Sequence, residues 1–189
     1  MQPYRKLLLA FAAAATLVAG AHAQGWPSRP IRLVVPFPPG GGTDTITREV
    51  ANKAAGSGYT FVVDNKPGSG GNLGVDVAAK APADGYTLVM GQTSNLAINP
   101  TLYAKLPYDP VKDLTPVSLV ASAPLVIVTA ADAPYQTLAD VVKAAKAKPG
   151  SINFATSGNG TVAHLAAESF QKVAAVSYTH LTLPTNREV

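Results

Sequence analysis

Apolar runs of strand length and amphipathic stretches of helical period alternate along this chain. The run Ile31 to Phe37 predicts a buried strand, and a helix from Thr43 to Ala55 follows, with Ile46, Val50, Ala51 and Ala54 on one face. Tyr59 to Asp64 predicts a second strand, Asn72 to Ala81 a second helix and Tyr86 to Gly91 a third strand. Ala55-Gly56-Ser57-Gly58 ends the first helix, and Pro82-Ala83-Asp84-Gly85 is a turn. This is the β-α-β order of a mostly parallel sheet. A second group runs Val117 to Val120, Leu125 to Thr129, a helix from Leu138 to Ala147, Ile152 to Thr156 and a helix from Thr161 to Ala175. Ser122 to Pro124 reads either as the crossing between two lobes or as an ordinary loop. No internal repeat is visible.

The junction between the first strand and helix, Pro36-Phe37-Pro38-Pro39-Gly40-Gly41-Gly42-Thr43-Asp44, is suited to holding an anion. The first N–H groups of a helix lack internal partners and its dipole is positive there, so a carboxylate or phosphate gains several hydrogen bonds. Glycines let a ligand approach the backbone. The alternative is a tight turn with Thr43 or Asp44 as the N-cap. The turn lacks the third glycine of a dinucleotide fingerprint, because position 45 is Thr45, and it lacks the Gly-Lys-Ser/Thr of a phosphate loop. With Asp44 present and no lysine, a mono- or dicarboxylate suits it better than a polyphosphate.

Three more polar loops fall at the C-terminal ends of predicted strands, where ligands collect in open α/β sheets. In Asn65 to Asn72, Lys66 and Ser69 read as parts of a flexible connection and the glycines as candidate ligand-facing backbone. Gln92-Thr93-Ser94-Asn95 offers uncharged donors, with Gln92, Thr93 and Asn95 as candidate ligand contacts and N-capping by Ser94 or Asn95 as the competing role. Thr156-Ser157-Gly158-Asn159-Gly160-Thr161 precedes a helix and presents a second anion-holding end through Ser157, Gly158, Gly160 and Thr161. His164, one turn into that helix, reads as a ligand donor or as a packed or capping histidine.

The first residues order as a secretory leader: Arg5 and Lys6, an apolar stretch from Leu7 to Gly20, then Ala21-His22-Ala23 before Gln24. Cleavage is expected after Ala23, with export to the periplasm. The stretch is shorter than a membrane anchor needs. There is no cysteine, which removes disulfides, thiolate metal sites, a cysteine nucleophile and a lipid-anchored cysteine. Fifteen Lys and Arg against 11 Asp and Glu give +4, and leaving out Arg5 and Lys6 leaves +2, without a polybasic run; nucleic acid and membrane surfaces are not expected partners.

Two enzyme readings compete with binding. An exported hydrolase would have to bring Ser157, His164 and an acid such as Asp44 together, and there is no G-x-S-x-G elbow. A dinucleotide enzyme would use the G-x-G-x-x-A match at Gly158, Gly160 and Ala163, with an acidic residue about 20 positions on. No paired-histidine metal motif occurs, and no metal or cofactor is expected. A binding protein is the economical reading, with no catalytic residue expected.

From about Trp26 to Val176 the chain resembles the periplasmic substrate-binding receptors of tripartite tricarboxylate transporters, the Bug-type receptors. The resemblance rests on Trp26-Pro27-Ser28-Arg29-Pro30-Ile31, Val35 to Asp44, Asn65 to Asn72, Ala83 to Leu88, Leu102-Tyr103 with Leu106-Pro107-Tyr108-Asp109-Pro110, Ala145-Lys146-Ala147 with Pro149-Gly150, and Ser157-Gly158-Asn159-Gly160 with His164-Leu165. It implies an α/β, periplasmic-binding-protein-like fold of type II, a two-lobed flytrap, that delivers a small carboxylate to membrane permease subunits and is monomeric at full length. Family ligands are di- and tricarboxylates, acidic amino acids and some aromatic acids. Carried over, the first loop grips through Gly41, Gly42, Thr43 and Asp44, and the second through Ser157, Gly158, Gly160 and Thr161. The expected organisation is a signal peptide at 1–23, the first lobe at 24–123, the start of an incomplete second lobe at 124–176, and a foreign tail at 177–189 that departs from the family pattern, with an ordinary strand and turn, which its β-branched residues and Pro184 allow, as the alternative. A chain of this extent is expected to bind carboxylates weakly or not at all and to aggregate through uncovered strand edges.

Overall fold

A computed structural model of the protein describes residues 25–182. The expected leader and its cleavage site, and the last seven residues of the expected tail, lie outside them.

Three strands form a parallel sheet in the order β2-β1-β3: β1 is Ile31–Val35, β2 Phe61–Asn65 and β3 Thr87–Val89. Helix α1, Gly42–Ala55, joins β1 to β2, and α2, Asn72–Ala79, joins β2 to β3. The first crossover runs from the central strand β1 out to β2 and the second runs back past β1 to β3, so right-handed connections put the helices on opposite faces. The central strand is accordingly the most apolar, and Ile31, Val34 and Val35 are fully buried. In α1 the buried positions are Asp44, Thr47 and Ala51, while Ile46 and Val50 are exposed. The helix is therefore rotated from the face its apolar residues predict, because Asp44 is drawn inward by the loop it holds.

After β3 the chain enters a five-residue π-helical turn, Ser94–Ile98, and a short helix α3, Asn99–Leu102. The predicted strands Val117 to Val120 and Leu125 to Thr129 do not form. Among the described residues no strand pairs with them, and Val117, Leu119, Val126 and Val128 are three-quarters or more exposed. A strand needs a ladder partner to satisfy its backbone, whatever its composition. Helix α4, Leu138–Ala147, starts in a capping box between Thr137 and Asp140.

A second, two-stranded parallel sheet pairs β4, Asn153–Thr156, with β5, Thr179–Thr182, through helix α5, Val162–Ala174. Part of the segment expected to be a foreign tail thus lies in β5. Tyr178 stacks on Phe154 with ring centroids 5.1 Å apart, and its hydroxyl donates to the Ala167 carbonyl.

Two of the motifs that carry the family resemblance meet at the N-terminal edge of the first sheet. Trp26 packs against Tyr59 and Tyr86, Arg29 pairs with Asp84 at 3.0 Å, and the Arg29 guanidinium lies 4.1 Å over the Tyr86 ring. The Tyr86 hydroxyl accepts from Ser28 N–H at 2.7 Å. These motifs hold the scaffold and stand at the opposite end of the strands from the glycine loops.

Candidate functional site

The loops after β1, β2 and β3 gather at the C-terminal edge of the sheet, where the connections from β1 and β3 diverge; ligands of open α/β sheets bind at this position. Helix α1 starts at Gly42, with Gly41 as an N-cap that has no side-chain cap bond. Neither Thr43 nor Asp44 serves as the cap. Among the described residues, the N–H groups of Gly41, Gly42, Thr43 and Asp44 find no acceptor. This is the set of free donors that the glycine turn predicts.

The Asp44 side chain is engaged within the loop, while its N–H stays among the free donors. Its carboxylate is buried and accepts from Arg48 Nε, Gly40 N–H and Asn65 Nδ2, each at 2.9 Å. The Arg48 guanidinium, helped by the Gly40 and Asn65 donors, holds the Asp44 carboxyl down at about 2 against burial, which pushes it up. Asn65 also donates to the Phe37 carbonyl at 3.1 Å and accepts from Arg48. Asp44 therefore shapes the loop that presents the free N–H groups, and Arg48 is occupied in doing so. Lys66 is likewise engaged, 3.3 Å from Asp64.

Gln92 spans two loops. Its side-chain amide donates to the Thr43 hydroxyl, and its N–H donates to Asn95 Oδ1 at 2.9 Å. Thr93 is exposed and caps the π-helical turn without a side-chain bond, so the expected capping by Ser94 or Asn95 does not occur. Asn95 is fully buried beneath the loops and cannot reach a ligand without rearrangement. Its carbonyl accepts from the Tyr108 hydroxyl at 2.7 Å, and that hydroxyl also lies 3.0 Å from Asn72 Oδ1. Asn99 Nδ2 donates to the same Asn72 oxygen at 2.7 Å. Burial pushes the Tyr108 phenol up to about 12. These residues form a polar floor under the site.

The glycines of the β2 loop face protein rather than open space. A Cβ on Gly71 would stand 2.5 Å from Asn95 Nδ2 and 3.0 Å from Phe37 Cζ, and one on Gly70 2.7 Å from the Asn159 carbonyl oxygen. The expectation that they face a ligand is corrected: they allow loop-to-loop contact.

The loop between β4 and α5 docks on this edge. The Tyr103 hydroxyl donates to the Asn159 carbonyl at 3.3 Å, and Gly160, at φ 78°, packs directly on Asn99 Oδ1 and 3.0 Å from Tyr103 Cε2 as measured from an added Cβ. A cavity of about 360 Å³ between the two parts is lined by Leu102, Tyr103, Asn159 and His164. Within the loop most donors are already used. Gly158 N–H donates to Thr156 Oγ1 at 3.3 Å, Gly160 N–H to His164 Nδ1 at 3.2 Å, and His164 N–H to Thr161 Oγ1 at 3.3 Å. Thr161 is the N-cap of α5 and is buried, whereas Ser157 is exposed. The second helix end therefore offers fewer free donors than its glycines predict.

Both enzyme arrangements fail in this geometry. Among the described residues Ser157 makes no hydrogen bond with His164, whose Nδ1 is taken by Gly160, and the Asp44 carboxylate is taken by Arg48, Gly40 and Asn65. The Gly158 and Gly160 N–H groups that a pyrophosphate would need are bonded internally. The sequence reading missed Arg48, Tyr103, Tyr108 and Asn99. Only Tyr103 and Tyr108 carried a signal, as aromatics within the Leu102-Tyr103 and Leu106 to Pro110 motifs.

The fold is of the periplasmic-binding-protein class: the solved periplasmic binding protein BugD superimposes on 83% of this chain, over 52% of its own length, with TM-score 0.77 and 30% identity. Residues 46–187 match the model of the tripartite tricarboxylate transporter family receptor, and the chain belongs to that family. It is 42% identical over 163 residues to protein BugT of Bordetella pertussis, covering 85% of this chain and 50% of BugT. A protein of R. palustris solved with adipate matches with TM-score 0.80 and 35% identity, covering 84% of this chain and 53% of that one. MatC of Rhodopseudomonas palustris, with bound malate, matches with TM-score 0.76 and 30% identity, covering 84% of this chain and 54% of its own. The chain thus spans about half the length of the relatives it matches.

Proposed function

We propose that this chain serves as an extracytoplasmic solute receptor that binds a small carboxylate and passes it to a membrane permease for uptake. The observation that carries the reading is the row of unpaired N–H groups at Gly41, Gly42 and Thr43, held at the sheet's switch point by Asp44 and braced by Gln92. Such a row recognises a carboxylate at a helix N-terminus without an arginine clamp. The adipate and malate in the two solved relatives fit the same ligand chemistry. Within that class, di- and tricarboxylates, acidic amino acids and aromatic acids all satisfy backbone donors at one end. Ser157 and Asn159 are the contacts proposed from the second loop, since both are exposed. Work in the periplasm after cleavage behind Ala23, and a monomeric state at full length, belong to the same proposal.

Thermal unfolding of the mature, full-length protein in the presence of a carboxylate panel tests this. A ligand that binds the native state raises the unfolding midpoint. The expected result is a rise with one or a few carboxylates that are recovered unchanged. No rise across the panel, or conversion of any compound, contradicts the receptor reading.

A further inference from the structure

The second glycine loop is fastened by ring nitrogens. The bond from Gly160 N–H to His164 Nδ1, 3.2 Å long, exists only while that nitrogen carries no proton. The His164 ring stacks on His180 with centroids 4.4 Å apart and planes at 26°. His180 Nε2 lies 2.7 Å from Thr156 Oγ1, the atom that accepts from Gly158 N–H. The Thr156 hydroxyl has one proton and two lone pairs, so His180 Nε2 can accept from it or donate to it while Gly158 stays bonded.

The groups facing His164 are few. From α5, Glu168 Oε1 lies 3.7 Å from His164 Nε2; from β5 comes His180, which itself meets Thr156 of β4; and from the residue after α3, Tyr103, which lines the same cavity. The His164 side chain is 19% exposed, so a proton can reach it.

We propose that the His164 imidazole, stacked on His180, forms a proton-sensitive lock on the loop Thr156 to Thr161. Unprotonated at Nδ1, His164 consumes the Gly160 N–H group. A proton on His164 Nδ1 sets one donor against another, breaks the Gly160 bond and turns that N–H toward the cavity lined by Tyr103 and Asn159. It also places a positive charge there, beside Glu168. The lock stands on the loop geometry alone; its use, to add a donor for a carboxylate on acidification, rests on the receptor reading above.

Amide spectra of the ¹⁵N-labelled chain, recorded from about pH 8 to about pH 5, test the lock. The Gly160 amide resonance is expected to move with the same midpoint as the His164 ring protons, while its hydrogen exchange protection falls several-fold beyond the intrinsic pH effect. The pH step at Gly160 is expected to vanish in His164→Gln. If that variant does not fold, the wild-type titration decides by itself. His180→Asn is expected to keep the pH response of Gly160. A Gly160 amide that stays flat while the His164 ring titrates overturns the proposal, and so does a Gly160 response that is lost in His180→Asn. Adding succinate at each end of the range separates the two readings. If Gly160 titrates but no succinate-dependent shift occurs at Gly41 to Thr43, the lock stands and the receptor reading fails.

Discussion

The side-chain amide of Gln92 donates a hydrogen bond to the hydroxyl of Thr43, tying the loop after β3 to the loop after β1 across the switch point of the sheet. Both residues are half-buried, and the bond fixes Thr43 beside the free N–H groups of the α1 terminus. Gln92→Ala is expected to leave global stability within about 1 kcal/mol, the usual net worth of one hydrogen bond. Carboxylate affinity is expected to fall several-fold as the loop loosens. Denaturant unfolding alongside ligand titration checks both halves, and a variant that loses stability but keeps affinity contradicts the bracing role.

Asp44 makes the first loop acid-sensitive. Its folded carboxyl titrates at about 2, below the ordinary 3.8, because Arg48, Gly40 and Asn65 stabilise the charged form. A depressed folded value means the contribution is fully present above the unfolded value and is lost as pH falls from about 4 through about 2. By linkage it amounts to about 2 kcal/mol. Asp44→Asn is expected to remove that acid dependence and to destabilise the chain at neutral pH by a similar amount. Unfolding free energies measured at several pH values in the two proteins test it, and parallel curves would contradict it.

Gly74 sits where α2 touches the first loop. A Cβ there would stand 2.7 Å from Pro36 Cα and 2.9 Å from the Lys66 carbonyl oxygen, and backbone cannot give way cheaply. Gly74→Ala is expected to cost about 1–3 kcal/mol as overpacking, despite the better helix propensity of alanine. An unchanged or raised unfolding midpoint would show that helix and loop are less closely apposed.

Tyr108 joins the polar floor through bonds to the Asn95 carbonyl and Asn72 Oδ1, both buried. The hydroxyl has one proton, and Asn72 Oδ1 keeps its bond from Asn99, so Tyr108→Phe leaves the buried Asn95 carbonyl short of its donor and is expected to cost about 1–3 kcal/mol. The measurement is equilibrium unfolding, and the variant's near-UV spectrum distinguishes a local loss from collapse of the loops.

The stretch from Val117 to Val128 exposes a row of large apolar side chains with no ladder partner among the described residues. Such a segment templates association between chains. Val126→Lys, at a position 75% exposed, is expected to lower light scattering on standing without shifting the unfolding midpoint.

The alternation of elements was readable because periodicity and turn chemistry are local. β1, α1, β2, α2, α4, β4 and α5 lie where their patterns predict, within a few residues at the ends. Three things were not readable. Val117 to Val120 and Leu125 to Thr129 have strand composition, but pairing is decided by a distant partner. The helical turn at Ser94–Leu102 lies beyond the polar loop Gln92 to Asn95, where the pattern predicts no element, yet its asparagines turn inward to meet Asn72 and Tyr108. For the site, the free donors at Gly41 to Thr43 follow from glycines before a helix, whereas the inward role of Asp44 depends on Asn65, 21 residues away, and on Arg48 one turn on.

Amide shift mapping with a dicarboxylate tests the central claim most directly, because it detects weak binding and reports its location. Titrating succinate into the ¹⁵N-labelled chain is expected to give saturable shifts at Gly41, Gly42 and Thr43, smaller ones at Gln92, and none in a control with an uncharged diol. Shifts confined to other surfaces, or no shifts at the α1 terminus at any succinate concentration, would contradict the assignment of that helix end as the carboxylate site.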